Sequence, residues 1–174
     1  MTVFDSADEQ QLAHNKILGL LPELGREWRV SFEFRPTSYE FNEVANLIQL
    51  TTGGVSTEHG SMTPTISFEK GNNDKINMFM ITSMNLNANF YFQLGSVPVP
   101  KIGEWTKIEV DQRQEGCGYV VAISLANKEV SRIENLRPRK FSNVIVLASN
   151  AVDEVQPGSI RQLTISSDTG EILQ

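Results

Sequence analysis

The run Glu27-Trp28-Arg29-Val30-Ser31-Phe32-Glu33-Phe34-Arg35-Pro36 decides the fold class. Trp28, Val30, Phe32 and Phe34 fall on one face of an extended chain and Arg29, Ser31, Glu33 and Arg35 on the other, because successive strand side chains point to opposite sides. A helix would scatter the same residues around its axis, so period two means a half-buried strand. Pro36, with no N–H for a ladder, closes it.

Working outward, strand character recurs at Ala45–Thr52, Thr65–Glu69, Lys75–Thr82, Asn87–Leu94, Trp105–Gln112, Tyr119–Ala126, Lys128–Glu134, Val144–Ser149 and Ser159–Ser166. Gly53-Gly54, Gly71-Asn72-Asn73-Asp74, the Gly95–Gly103 stretch with its two prolines, Gly116-Cys117-Gly118 and Gln156-Pro157-Gly158 separate them with turn chemistry. Short strands at this spacing, without repeated helical crossovers, predict an all-β sandwich of two antiparallel sheets. Residues 7–21 differ: Leu12, Ile17, Leu20 and Leu21 recur at mixed helical spacings behind Asp5-Ser6 as a cap, which predicts a short N-terminal helix.

The 174 residues suffice for one domain with its own core. It is expected to span residues 1–174, with 1–26 an N-terminal extension and 27–167 the sandwich. A net charge of −6 disfavours nucleic acid, whose binding depends on neutralising phosphates. Cys117, alone, forms no internal disulfide and no Cys-x-x-Cys pair, and His14 and His59 are too far apart for metal-ligand spacing. Asp5, Asp8, Glu9 and Glu23 interrupt the region where a signal peptide needs an apolar run, and no stretch reaches the roughly 18 apolar residues of a membrane span.

The order of features resembles the concanavalin A-like lectin/glucanase superfamily, in its laminin-G-like jelly-roll form. The likeness is carried by Glu27–Pro36, by Ala45-Asn46-Leu47-Ile48-Gln49-Leu50-Thr51-Thr52-Gly53-Gly54, by Thr63–Phe68, by the G-x-W strand Gly103–Val110, by Tyr119–Leu125 with the turn Asn127-Lys128-Glu129-Val130, and by Phe141–Ile165. It implies a jelly roll whose last strand pairs with the first, ligands on a concave sheet face or its rim loops, and an extracellular setting. Fold analogy alone does not transmit function.

Glu109-Val110-Asp111 with Glu115 is similar to the carboxylate strand of the related glucanases. Retention needs two carboxyls about 5–5.5 Å apart. Glu109 and Asp111 share a face, but Glu115 is expected in the Gly116-Cys117-Gly118 turn, about 20 Å along the chain from Glu109. These carboxylates therefore read as solvated charges, and the chain as a non-enzyme; β-glucan hydrolysis would need Glu109 and a second carboxylate to converge. No Gly-x-Ser-x-Gly elbow accompanies His59. Calcium is the one cofactor left open by the resemblance, with Asn73, Asp74 and Asp153 as loop oxygen donors that match no spaced calcium loop.

The best ligand-binding surface is the strand Asn87–Leu94. Ala88, Phe90, Phe92 and Leu94 form its core face, leaving Asn87, Asn89, Tyr91 and Gln93 on the other. Amides beside a ring suit a sugar, whose hydroxyls need directed hydrogen bonds and whose C–H face stacks on an aromatic, although an ordinary solvated face has the same composition. Asn85 extends the row, Glu58 and His59 stand in the nearby loop Thr57–Ser61, and Lys107, Glu109 and Asp111 are expected on a neighbouring strand. Trp28 and Trp105 read as packing anchors. The sequence thus predicts a lectin-like module for carbohydrate or glycoprotein, with a laminin-G-type protein-interaction domain as the alternative, as a monomer or a sheet-edge dimer.

Overall fold

The computed structural model describes residues 1–55, 57–85, 87–94 and 97–168, and the side chains of all of these except Val3, Asp74, Ala88 and Gln93. Fourteen strands appear among the described residues: β1 (Thr2–Ser6), β2 (Gln10–Gln11), β3 (Lys16–Leu24), β4 (Trp28–Pro36), β5 (Val44–Thr51), β6 (Thr65–Lys70), β7 (Ile76–Met84), β8 (Asn87–Gln93), β9 (Thr106–Glu115), β10 (Gly118–Leu125), β11 (Lys128–Asn135), β12 (Phe141–Ala148), β13 (Glu154–Val155) and β14 (Gly158–Ser167). They form two sheets. The first runs β1-β14-β4-β9-β10-β11 with β2 beside β14, and the second β3-β12-β5-β6-β7-β8 with β13 beside β5. Pairing is antiparallel except for β13 with β5.

The architecture is the all-β jelly roll the alternation predicts. Trp28, Val30, Phe32 and Phe34 of β4 are all buried, and they meet Ile66, Phe68 and Met80 of the second sheet in one apolar layer. Phe34 and Phe68 pack across it with ring centroids 5.8 Å apart, and Tyr39 sets its ring edge-on to Phe68 at 5.4 Å. Such ring pairs add about 0.5–1.5 kcal/mol each beyond the area they bury.

The N-terminal segment is not helical and not an extension. β1 and β2 pair with β14 in the first sheet, and β3 pairs with β12 in the second. Pro22 sits in β3, which has only β12 as a ladder neighbour, where a missing N–H is tolerated. The Phe4 ring of β1 lies against Gly19 of β3, so close that a Cβ there would stand 2.3 Å from it. β14 pairs with both β1 and β4, so the last strand does meet the first.

At one end of the sandwich a polar clip joins the layers. Asn135, buried at the end of β11, donates from Nδ2 to Gln112 Oε1 (2.6 Å) and accepts on Oδ1 from the backbone N–H groups of Asn85 (3.0 Å) and Arg137 (3.1 Å). Asn85, in the β7–β8 turn of the other sheet, accepts in return from Leu136 N–H at 2.6 Å. Gln112 Nε2 completes the set by donating to Arg26 O at 2.6 Å. Replacing Asn135 with Ala strands several of these buried groups, and urea unfolding is expected to show a loss of about 2–3 kcal/mol with an unchanged m-value.

Candidate functional site

Alternation that puts Ile108 and Val110 into the core turns Lys107, Glu109, Asp111, Arg113 and Glu115 outward from the first sheet. Glu115 is the last residue of β9 rather than part of a turn, paired with Gly118. The carboxylates are not free solvated charges. Arg113 bonds Asp111 (2.7 Å), Glu115 (2.9 Å) and Glu129 (2.8 Å), while Arg132 reaches Glu115 and Glu129. Glu109 lies between Arg29 (3.6 Å) and Lys107 (3.5 Å). Asp111, expected to be solvated, is only 4% exposed. The lattice continues through Arg161–Glu33 and Arg35–Glu9, and both arginines lie over the ring of Trp105, 4.2 and 4.6 Å from its centre. Trp105 is thus a packing platform for guanidinium groups, and Trp28 a core anchor.

The outer face of the second sheet carries different chemistry. One cross-strand row reads Ile17, Leu147, Gln49, Thr65, Ile81 and Tyr91, each paired with the next. It is aliphatic at the β3 edge, where Ile17 is 65% exposed, and aromatic at the β8 edge. Tyr91 is 46% exposed and backed by Phe79, ring centroids 5.0 Å apart. Its phenol is pushed up to about 12, first by partial desolvation and then by the neighbouring Glu69 carboxylate, so it stays a neutral donor at physiological pH.

The sequence-predicted residues are therefore split. Asn87, Asn89 and Tyr91 stand on β8 at the edge of the second sheet, whereas Glu109 and Asp111 belong to β9 of the first; the expected neighbouring strand lies in the other layer. Asn85 is spent on the clip to Asn135 and Leu136. Asn87 uses Oδ1 to accept from Asn89 N–H at 2.9 Å. The Gln93 side chain lies outside the described residues, but its backbone pairs with Phe79. On the expected core face, Leu94 is buried and Phe92 packs against the core.

Glu58 and His59 do lie near β8. Their turn is fixed by Ser61, whose N–H and Oγ both donate to Glu58 O, and Ser61 Oγ stands 3.5 Å from Asn89 Oδ1. Gly60 N–H reaches Ser83 Oγ of β7 at 2.9 Å.

Of the calcium candidates, Asn73 turns the β6–β7 hairpin with φ +58° and Asp153 accepts from Asn150 Nδ2 at 2.8 Å within its own turn, while the Asp74 side chain lies outside the described residues. Among the described residues no three His, Cys, Asp or Glu side chains gather to hold a metal.

Two residues outside the sequence reading join the site: Gln49 and Thr65, side by side in the middle of the row. Gln49 interrupts the apolar run Leu47-Ile48-Gln49-Leu50, and that interruption is the one signal by which it could have been found. Two surface depressions, of about 240 Å³ beside Arg29 and Arg113 and about 700 Å³ beside Cys117 and Tyr119, are lined mainly by first-sheet residues and leave β8 untouched. The row is exposed at its two ends, Ile17 and Tyr91, and buried at Leu147, Gln49 and Thr65 between them.

The ionic lattice makes its own prediction. Arg113→Met leaves the buried Asp111 without its cation and is expected to cost about 3 kcal/mol in urea unfolding at pH 7. Desolvation raises the Glu115 carboxyl, but Arg113 and Arg132 outweigh it and hold the group below the ordinary carboxylate range. A lowered folded-state pKa stabilises above the unfolded value and is lost as pH falls through the folded one, so the gap between variant and parent narrows in acid.

No protein-family model matches the sequence, and no curated protein matches it. Solved structures do resemble it. A heptameric SAP-like pentraxin from Limulus polyphemus superposes with TM-score 0.59 at 14% identity, over 94% of this chain and 74% of that one. An alginate lyase in complex with alginate tetrasaccharide gives TM-score 0.59 at 9% identity, over 91% and 80%. A human galectin gives 0.51 at 10%, over 87% and 99%. At such identities the likeness is one of fold, and in fold the chain is a concanavalin A-like jelly-roll sandwich.

Proposed function

We propose that the chain is a non-catalytic carbohydrate-recognition module that binds a glycan on the outer face of its second sheet. The observation that carries this is Tyr91: a ring nearly half exposed, braced from behind by Phe79, beside the amide of Asn89 and the hydroxyl of Ser61. A braced ring offers a stacking surface at little cost in side-chain entropy, and the amide can both donate to and accept from sugar hydroxyls. The neighbouring folds support a carbohydrate ligand: one of them is an enzyme solved with alginate tetrasaccharide.

The absence of turnover is part of the proposal. Glu109, Asp111 and Glu115 each bond to arginine or lysine, whereas a glycosidase acid must hold its proton near neutral pH. The pairing supports a structural role for these carboxylates.

A glycan array read with the parent protein and with Tyr91→Ala tests the assignment. The parent is expected to bind at least one oligosaccharide series, and Tyr91→Ala to bind it about tenfold more weakly, as befits loss of a stacking contact of about 1.5 kcal/mol. Glu109→Gln is expected to bind like the parent. Retained binding in Tyr91→Ala, or an array without hits, would remove the assignment.

A further inference from the structure

At the centre of the second sheet's outer face, Gln49 of β5 and Thr65 of β6 are directly paired, only 8% and 2% exposed. Gln49 Nε2 donates to Ser61 O at 2.9 Å, but Gln49 Oε1 and Thr65 Oγ1 meet no hydrogen-bond partner in the protein. A buried polar atom without a partner bears its full desolvation cost. An apolar β-branched side chain would fill either strand position without that cost. Two such atoms on adjacent strands, facing the same way, mark a place where something else supplies the bonds.

Charge narrows what that is. No lysine or arginine occupies an outward position on β3, β5, β6, β7, β8 or β12 among the described residues. Glu69 sits in this face next to Tyr91, and Lys140 beyond β12 is paired with Glu23 at 3.2 Å. Lys16 and Lys70 stand at the ends of β3 and β6, where Lys16 donates to Gln11 O at 3.0 Å and Lys70 lies over the ring of Phe41, and the arginines on strands all belong to the opposite sheet and its ionic lattice. An anionic ligand would find an amide oxygen and a carboxylate where it needs cations.

We infer that this face takes an uncharged oligosaccharide, with the hydroxyls of one ring bonding Gln49 Oε1 and Thr65 Oγ1 while another ring stacks on Tyr91. The inference deepens the carbohydrate reading and rests on it. Tyr91 stands two strands from Thr65, roughly 9–10 Å across the sheet, so the ligand spans more than one sugar unit. Both atoms are buried in the unbound protein, so the bound state requires the Gln49 side chain to leave the Ser61 carbonyl.

Calorimetric titration with neutral tetra- to hexasaccharides of glucose, galactose and arabinose, against size-matched oligogalacturonate, reads the charge preference. The expected result is binding to a neutral series and at least tenfold weaker binding of the uronate. Thr65→Val keeps the shape and removes the hydroxyl. It is expected to melt at or above the parent's temperature yet bind five- to tenfold more weakly, whereas Thr65→Ser binds like the parent. Gln49→Met is judged by the same affinity criterion, should Thr65→Val fold poorly. Uronate bound as tightly as neutral sugar, or full affinity in both Thr65→Val and Gln49→Met, overturns the inference and leaves the carbohydrate reading standing. If no sugar binds, both fall.

Discussion

The apolar layer in which Phe32, Phe34 and Ile108 of one sheet meet Ile66, Phe68 and Met80 of the other is the constraint on which the rest depends. A strand that commits alternate residues to that layer commits the intervening ones to an outer face, and a slip of one residue would exchange the two sets. Tyr91 is exposed because Phe92 packs against the core; Glu109 and Asp111 face outward because Ile108 and Val110 are buried. The asparagine–glutamine clip then fixes the β7–β8 turn against the end of β11.

One sandwich thereby presents two surfaces of opposite character. On the first sheet, arginines and carboxylates satisfy one another within the lattice around Arg113 and around Trp105, leaving little bonding capacity for a ligand. On the second, the outward residues are aliphatic, aromatic, hydroxyl and amide with the one carboxylate of Glu69 beside Tyr91, and the buried Gln49 Oε1 and Thr65 Oγ1 are unmet. A closed set of ion pairs stabilises the fold, whereas unmet polar atoms beside an exposed ring lower the energy of a bound ligand.

Much of the sandwich was legible from period two alone, since each strand expected from Trp28 onward is found within a few residues of its expected bounds, and the two-residue β13 is the one addition. The N-terminal segment misled for a physical reason. Between Ile17 and Gly19 the register with β12 shifts, so Ile17 and Leu20 face the same side three residues apart, and a bulged strand imitates helical spacing. Pro22 and Gly19 were the signals against a helix. For the site, alternation gives the face of a residue but not its sheet. The connection from β8 to β9 crosses between the layers, which separated Glu109 and Asp111 from Asn87, Asn89 and Tyr91. Thr65 was out of reach because its lack of a partner is a property of the packed face, not of any spacing.

In the proposed division of labour, one outer face takes the ligand and the other holds the structure. Amide chemical-shift mapping of the ¹⁵N-labelled protein during titration with a neutral oligosaccharide separates the two faces. The division predicts perturbations at Gln49, Thr65, Ile81, Asn89 and Tyr91, with Glu109, Asp111, Arg113 and Glu115 unmoved. Shifts centred on β9 and β10, or none at saturating sugar, would contradict it.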